Sequence, residues 1–426
     1  MLTKDSLTVG EKIKQIRKTL NVSQKSLAVD LCCSVSTISR IECGQIECNS
    51  HILKSIRQSL NIEGVPLLEG ERFVFRERLY IWRDVIRDEA MDEADTMQKK
   101  LSVILHLPFE PDLVMMYKMF NIELLLTQKK TSLAKTALDL DEGIIHTMNS
   151  ENLYHYYYNK GTLYMIYEKI EQSLAYFLKA YHLDVASLKK EVSLRFNIAL
   201  CYTRLGMPYS SIMYQNEAYA LFSDERTSLL GLRLGNNLAV NYIFVGELKE
   251  AEQLLNKYLI RAQNINNNRY IGIALHNLGC MYFKSSKLER ALEYFNQAFE
   301  YFPKHDNVYL ENIYYKMRCL IGLKSFSKCK ELLLDTIEMT KAHKEYFVLF
   351  ESLTHLMSLR DEQSCRYLKD VAIPHLVSTN KYFKALDYCD VLEKYFIKRN
   401  LAKKALEIIA IVRDVYKKMI YGTNTP

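Results

Sequence analysis

The residues best suited to specific chemistry lie in the short sequence SVSTISR, from Ser34 to Arg40. Ser34 is expected to cap a helix, and Ile38 and Ile41, three residues apart, give that helix an apolar face. Its other side chains are small and polar with one cation, which suits contact with base edges and phosphates in the DNA major groove. Together with Gln24 in the preceding helix, the predicted DNA-contacting residues are Ser34, Val35, Ser36, Thr37, Ser39 and Arg40.

A column of asparagines is the second set of candidate binding residues. The pattern Asn-x-(Gly/Ala)-x-x-Tyr occurs four times at intervals of 38 to 40 residues, starting at Asn159, Asn197, Asn237 and Asn277. On a helix, the small residue two positions later lies about 200° away and is expected to face a partner helix, so each Asn should face a groove. An Asn amide matches the N–H and C=O of one peptide unit. The column therefore predicts a groove that holds an extended peptide by its backbone or, alternatively, a solvated groove whose asparagines survive from duplication.

Cations share the face predicted for this groove, where they could bind a carboxylate of the ligand. Arg233 and His155 each lie four residues before an Asn of the column, and Arg204 and Lys284 lie seven residues after one. His155 is expected to be an ordinary polar residue of the groove. The predicted peptide-binding residues are Asn159, Asn197, Arg204, Arg233, Asn237, Asn277, Lys284 and Asn312.

Helices are needed to position both sets of residues. The 426 residues include only 7 Pro and 14 Gly, and 49% are hydrophobic, which predicts an all-α protein. A small residue stands nine positions after each Tyr of the repeated pattern, which allows the two helices of a hairpin to approach closely. We predict about eight or nine such hairpins, stacked in a right-handed superhelix. The small residues are Ser173, Ser211, Ala251 and Ala291.

Three segments are expected along the chain. Residues 1–62 form a helix-turn-helix DNA-binding domain, and residues 63–72, which contain Gly64, Pro66 and Gly70, form a linker. Residues 73–426 form the repeat array, which is expected to bind the peptide and to mediate oligomerisation.

Composition and motifs exclude several classes of function. The net charge of +7 fits a sequence-specific DNA-binding protein better than a polycation that coats DNA. The sequence contains no HExxH, GxSxG, GxxxxGK(S/T) or GxGxxG motif, so neither an enzyme nor a cofactor is predicted. The ten cysteines do not recur at metal-ligand spacing, so no metal site is expected. Without a signal peptide or an apolar run of about 18 residues, the protein is predicted to be cytoplasmic and to avoid the membrane.

Two parts of the chain resemble known families. Residues 8–62 resemble the Cro/CI-type helix-turn-helix family, most specifically in the ISRIE run from Ile38 to Glu42. That resemblance implies that Gln24 contacts a phosphate or a base edge and that Arg17 braces Glu42. The family usually has Gly at the turn where this chain has Cys32, so strain is expected there. The repeat array resembles the tetratricopeptide repeat, most clearly at Leu278, Gly279, Tyr282, Ala291, Phe295 and Ala298.

A helix-turn-helix joined to a long tetratricopeptide array with such asparagines resembles the cytoplasmic quorum-sensing receptors of Gram-positive bacteria, the Rap/Rgg/NprR/PlcR/PrgX superfamily. It looks most similar to the NprR type. The resemblance implies a transcription regulator that binds an inverted repeat as a homodimer or tetramer. It also implies a signalling peptide of about five to ten residues in the groove. Two alternatives are an array that binds and inhibits a response regulator, and a phage-encoded peptide receptor that controls lysogeny.

Overall fold

The described part of the chain is predominantly helical. The computed structural model describes residues 7–62, 65–107, 109–183, 185, 191–222, 229–304, 307–340, 344–359 and 361–421. These residues form 24 α-helices and no β-strand, which confirms the predicted all-α class. They divide into two compact units, Met1–Lys189 and Lys190–Pro426. None of the helices described has both the length and the apolar character that are needed to cross a lipid bilayer.

The first unit begins with a four-helix bundle, which we call the head. Each of its helices begins after a side chain that accepts a hydrogen bond from the first turn: Thr8, Ser23, Ser34 and Asn49. Its core is apolar, with Ile13, Leu27, Ile38 and Ile56 almost completely buried. The helices of the head are α1 Val9–Thr19, α2 Gln24–Asp30, α3 Val35–Glu42 and α4 Ser50–Ser59.

The array begins in the same unit, where α5 pairs with α6, α7 with α8 and α10 with α11 in three hairpins. A short 3₁₀ segment, Ser102–His106, follows α6. The seven helices are α5 Glu69–Arg87, α6 Met91–Leu101, α7 Pro111–Thr127, α8 Thr131–Leu138, α9 Glu142–Thr147, α10 Ser150–Ile166 and α11 Ile170–Tyr181.

The second unit continues the array with six more pairings: α12–α13, α14–α15, α16–α17, α18–α19, α20–α21 and α23–α24. Nine hairpins therefore follow the head within the described residues, in agreement with the predicted number. The helices are α12 Val192–Arg204, α13 Pro208–Leu221, α14 Leu229–Val245, α15 Leu248–Asn264, α16 Asn268–Lys284, α17 Leu288–Ala298, α18 Asn307–Gly322, α19 Phe326–Thr340, α20 Lys344–Met357, α21 Glu362–Tyr367, α22 Ile373–Ser378, α23 Tyr382–Lys398 and α24 Ala402–Tyr421.

Small residues bring the two helices of each repeat together. A Cβ atom added at Gly161 would lie 2.6 Å from the Phe177 ring, and one added at Gly279 would lie 2.5 Å from the Phe295 ring. Ser173 Oγ also donates a hydrogen bond of 2.8 Å to the Gly161 carbonyl. The repeated spacing of small and aromatic residues therefore corresponds to hairpins, as predicted.

The segment that joins the head to α5 packs against both. Val65 and Leu67 are buried, and Lys12 Nζ donates to the Leu67 carbonyl at 3.3 Å. Arg57 Nη2 lies 2.5 Å from Glu71 Oε2, in the first turn of α5. The last four residues predicted as linker are therefore helical, and residues 63 and 64, with the predicted Gly64, lie outside the described residues. The domain limits at residues 62 and 73 stay predictions.

Candidate functional site

Helix α3 presents a polar face to solvent. The Thr37 N–H donates to Ser34 Oγ at 3.0 Å, which caps the helix, and Ser34 Oγ also lies 2.8 Å from Thr37 Oγ1. Ile38 and Ile41 are buried, and the predicted DNA-contacting residues lie mainly on the opposite side. Of these, Ser34, Val35, Ser36 and Arg40 are exposed, while Thr37 and Ser39 are half-buried.

A buried ion pair fixes this face to the rest of the head. Arg17 Nε and Nη2 donate to the Glu42 carboxylate at 2.5 and 3.0 Å, as the helix-turn-helix resemblance implies. Gln24 Nε2 donates to the same carboxylate at 2.8 Å, so this predicted DNA contact is also a structural residue. Burial opposes the ionisation of Glu42, but the bonds from Arg17 and Gln24 outweigh it and lower the pKa.

The turn between α2 and α3 has the conformation that Gly would favour. Cys32 has a φ of 50°, in the left-handed region. Its Cβ clashes with the backbone in that conformation at a cost of roughly 1–2 kcal/mol. The strain expected where Cys replaces Gly is therefore present.

The asparagines of the predicted column do not share one environment. Asn159, Asn237 and Asn312 are buried in seams between helices, with exposed fractions of 1%, 6% and 0%. Asn159 Nδ2 donates to the Met119 carbonyl at 2.8 Å, and Asn312 Nδ2 donates to the Phe295 carbonyl at 2.8 Å. These side chains therefore join neighbouring helices in the structure, and their predicted contacts with a peptide remain untested.

Asn237 illustrates why these side chains do not face a groove as predicted. Its Nδ2 donates to Gln215 Oε1 at 3.1 Å, and its Oδ1 accepts from Thr203 Oγ1 at 3.0 Å. Both partners belong to the preceding hairpin. Helix α14 packs against its partner helix α15 and also against the preceding hairpin, α12–α13. The face of α14 that points away from α15 is therefore buried against that hairpin.

A cavity of about 490 Å³ lies in the second unit, lined by five helices. Asn277 and Lys284 of the predicted set line it. Asn277 Nδ2 donates to Asn236 Oδ1 at 2.6 Å, so two side-chain amides stand together in the wall. The lining residues are Asn236, Val240, Ile243, Phe244, Ile273, His276, Asn277, Cys280, Phe283, Lys284, Asn307, Val308, Glu311, Tyr315, Tyr346, Phe383, Lys384 and Asp387.

The charged side chains of the cavity form pairs. Lys384 Nζ lies 2.7 and 2.6 Å from the two oxygens of Glu311, and Lys284 Nζ lies 3.6 Å from Asp387 Oδ1. Burial opposes the ionisation of Glu311, but Lys384 and Lys381 outweigh it and lower the pKa. The cavity wall therefore carries both signs of charge with no net excess.

His276 also lies in this wall. Its Nδ1 lies 3.0 Å from Asn312 Oδ1, which is an acceptor, so Nδ1 carries the hydrogen. Burial lowers the pKa of His276 and outweighs the favourable effect of that hydrogen bond. Within the part of the chain that the structure describes, no group of three His, Cys, Asp or Glu side chains could hold a metal ion.

The remaining predicted residues lie elsewhere. Arg204 is exposed, Asn197 is half-buried, and Arg233 Nε donates to Tyr270 Oη at 3.1 Å. His155, expected in a groove, is 1% exposed among the rings of Phe120 and Tyr154. Burial, with Arg83 and Arg87 nearby, lowers its pKa well below the usual value.

Sequence reasoning missed most of the cavity wall. Asn236 stands directly before a predicted residue, and the Asn-Asn pair is the signal that could have revealed it. Glu311 likewise stands directly before a predicted residue, Asn312. Phe383, Lys384 and Asp387 lie in α23, outside the repeated pattern, and nothing in the local sequence connects them with a site about 100 residues earlier.

Known proteins resemble the chain in sequence and in fold. Residues 13–65 match the helix-turn-helix family model, and residues 232–304 match the tetratricopeptide repeat model. The transcriptional activator NprA of Geobacillus stearothermophilus is 24% identical over 403 residues, which cover 91% of this chain and 98% of NprA.

Solved structures extend the likeness to the fold. A Rap protein complexed with competence and sporulation factor gives a TM-score of 0.68 at 16% identity, covering 82% of this chain and 99% of that one. NprR in complex with its cognate peptide NprX gives a TM-score of 0.56 at 20% identity, covering 77% of this chain and 98% of that one. These likenesses confirm the predicted architecture and the resemblance to the Rap and NprR proteins.

Proposed function

We propose that this chain is a transcription regulator that binds specific DNA through α3 and is controlled by a short peptide in the cavity of the array. The observation that carries the proposal is the presence, in one chain, of an exposed polar recognition face and a cavity with two adjacent side-chain amides. The description of NprA as a transcriptional activator and the peptide complex of NprR support it.

In the DNA-binding half of the proposal, α3 enters the major groove. Val35, Ser36, Ser39 and Arg40 contact base edges and adjacent phosphates, and the capped first turn with Ser34 and Thr37 approaches the backbone. Gln24 contributes at the start of α2. Two copies of the chain, in a dimer or tetramer, would place two such helices on the half-sites of an inverted repeat.

In the peptide-binding half, Asn236 and Asn277 hold the ligand backbone. Their mutual hydrogen bond uses one donor of Asn277 and the carbonyl of Asn236. The Asn277 carbonyl and the Asn236 N–H groups then match the donor and the acceptor of one peptide unit. Each such bond contributes about 0.5–1.5 kcal/mol net, so several are needed to orient a peptide.

The other predicted peptide-binding residues have two roles in this proposal. Lys284 contributes to the cavity wall through its ion pair with Asp387, whereas Asn159, Asn237 and Asn312 act indirectly by fixing the hairpins. Contacts with the peptide remain predictions for Asn197, Arg204 and Arg233. The peptide can change DNA affinity only by as much as it prefers one arrangement of the array over another.

Selection from a pool of randomised DNA duplexes tests the DNA-binding half. The full chain should enrich one sequence motif, and Arg40→Ala should remove that enrichment, because the cation on the α3 face is lost. Lys99→Ala is the matched control, since it removes an exposed cation from α6 instead. Equal enrichment by wild type and Arg40→Ala would contradict the assignment of α3.

Capture of peptides from spent culture medium tests the peptide-binding half. Wild type should retain a short peptide that mass spectrometry identifies, and the Asn236→Ala, Asn277→Ala double variant should retain much less. If wild type retains no short peptide, the proposal fails, and the alternative in which the array binds a response regulator takes its place.

A further inference from the structure

The cavity is dominated by apolar surface. Nine of its lining side chains are aliphatic or aromatic, and they line the cavity together with the amide pair. A cavity of this size is typical of sites that enclose most of a small ligand, so part of the peptide would be largely removed from water. The nine residues are Val240, Ile243, Phe244, Ile273, Phe283, Val308, Tyr315, Tyr346 and Phe383.

The polar groups of the wall leave no place for a charged ligand side chain. Each of the four charged side chains has an opposite partner within the cavity: Glu311 with Lys384, and Asp387 with Lys284. His276 is held neutral by burial. A carboxylate or ammonium group of the ligand would lose its hydration and would have to separate an existing pair to gain a partner, which is unfavourable.

Resting on the proposed function, we propose that the cavity selects one large, uncharged apolar side chain of the peptide, of the Leu, Ile, Met or Phe class. The amide pair holds the backbone beside that residue, and the apolar wall encloses its side chain. Complete burial of such a side chain favours it over Ala by roughly 10- to 100-fold in affinity.

Phe383 sets the upper size limit for this side chain. Its ring stacks on the Phe244 ring, with centroids 4.0 Å apart and planes 8° from parallel. Phe383 lies on α23 and Phe244 on α14, so the stack joins two distant helices across one side of the cavity. Removal of the Phe383 ring would open space next to Phe244, directly where a ligand side chain would lie.

A short-peptide library provides the test, with one position at a time fixed as Leu, Phe, Trp, Ala, Asp or Lys. The full chain is incubated with each pool, and the retained peptides are quantified by mass spectrometry. At one position, the Leu and Phe pools should be retained about 10- to 100-fold better than the Ala pool, and the Asp and Lys pools least. Ile273→Trp, which fills the cavity, should abolish this preference.

A change in size selectivity distinguishes the cavity from a general effect on folding. Phe383→Ala should increase retention of the Trp pool relative to the Leu pool, a gain that a misfolded protein would not show. Phe73→Ala is the matched control, because it removes an exposed Phe ring from α5 and should leave the preference unchanged.

The possible outcomes separate this inference from the proposed function. Peptides retained with no side-chain preference, or with a preference for Asp or Lys, would overturn the apolar selectivity while leaving peptide binding intact. An unchanged preference in Ile273→Trp would place the selecting site elsewhere, and unchanged size selectivity in Phe383→Ala would remove the role of that ring. Failure to retain any peptide would overturn both proposals.

Discussion

The DNA-reading face of α3 and the cavity of the array differ in how far apart their residues lie in the sequence. The α3 face consists of six residues between Ser34 and Arg40, on one helix and its N-cap. The cavity draws its wall from five helices between Asn236 and Asp387. The first site therefore needs only the small core of the head, whereas the second requires several hairpins to dock correctly.

The ion pairs of the two regions also differ, both in how exposed they are and in whether they line a proposed binding site. In the head, the Arg17 and Glu42 side chains are 9% and 1% exposed, and they connect α1 to α3. In the cavity, the Lys384 and Glu311 side chains are 12% and 22% exposed and line the proposed binding site. Stability and ligand binding should therefore respond separately to substitutions in the two regions.

Glu42→Gln should produce the largest change in the head. The substitution leaves the Arg17 charge buried without its counter-charge, at a cost of about 3–5 kcal/mol. Hydrogen exchange of the α1 and α3 amides in the full chain measures this cost, and the amides of α14 and α16 should keep their protection. Glu47→Gln, at an exposed site, is the control. Equal protection in the two variants would show that the ion pair does not stabilise the head.

Two asparagines of the same column should respond differently in the array. Asn237→Ala leaves Gln215 Oε1 buried without its hydrogen bond, so the free energy of unfolding should fall by about 1–3 kcal/mol. Asn277→Ala should cost less than about 1 kcal/mol, because Asn236 can turn toward the cavity, but it should reduce peptide retention. Urea unfolding and peptide capture measure the two effects. Equal loss of stability in both variants would mean that the two positions are equivalent.

Acidification should affect the array before the head. Burial lowers the pKa values of His155 and His276, so the unfolded chain binds protons first as the pH falls below about 6.5. The free energy of unfolding should then decrease with falling pH by up to about 1.4 kcal/mol per pH unit for each histidine, until the pH reaches the lowered pKa of the folded state.

The head should respond at lower pH. The pKa of Glu42 is lowered, so its contribution to stability is complete above about pH 4.5 and is lost as the pH falls through the folded-state pKa. Hydrogen exchange at pH 7, 6 and 5, corrected for the intrinsic rate, should show loss of protection in the array alone. His276→Gln should reduce the pH dependence in the second unit. Parallel losses of protection in α1 and α16 would contradict the expectation that acid affects the array before the head.

The smallest expected effect concerns the turn of the head. Cys32→Gly removes a Cβ from a residue with a φ of 50° and should stabilise the head by about 1 kcal/mol. Cys43→Gly is the matched control, because Cys43 has a φ of −92° and is also exposed, so Gly there should have no stabilising effect. Hydrogen exchange of the α2 and α3 amides measures both changes. Stabilisation by both substitutions would point to a general effect of removing cysteine.

Local sequence was sufficient to predict the head and the hairpins. The cap at Ser34, the apolar pair Ile38 and Ile41 and the contact between Arg17 and Glu42 were all expected from the sequence and the resemblance that it carries. The small residues, such as Ser173, likewise predicted hairpins. These features depend on helical periodicity and on contacts between adjacent elements, which one sequence encodes directly.

Tertiary structure decided which asparagines of the column line the cavity. The sequence determines that Asn237 and Ala239 lie on different faces of α14, but not which neighbouring helix each face meets. Docking of the preceding hairpin buries Asn237 against Gln215, and docking of α23 brings Phe383 to Phe244. These contacts join residues about 20 to 140 positions apart, so they depend on how the hairpins pack and not on the periodicity of any one helix.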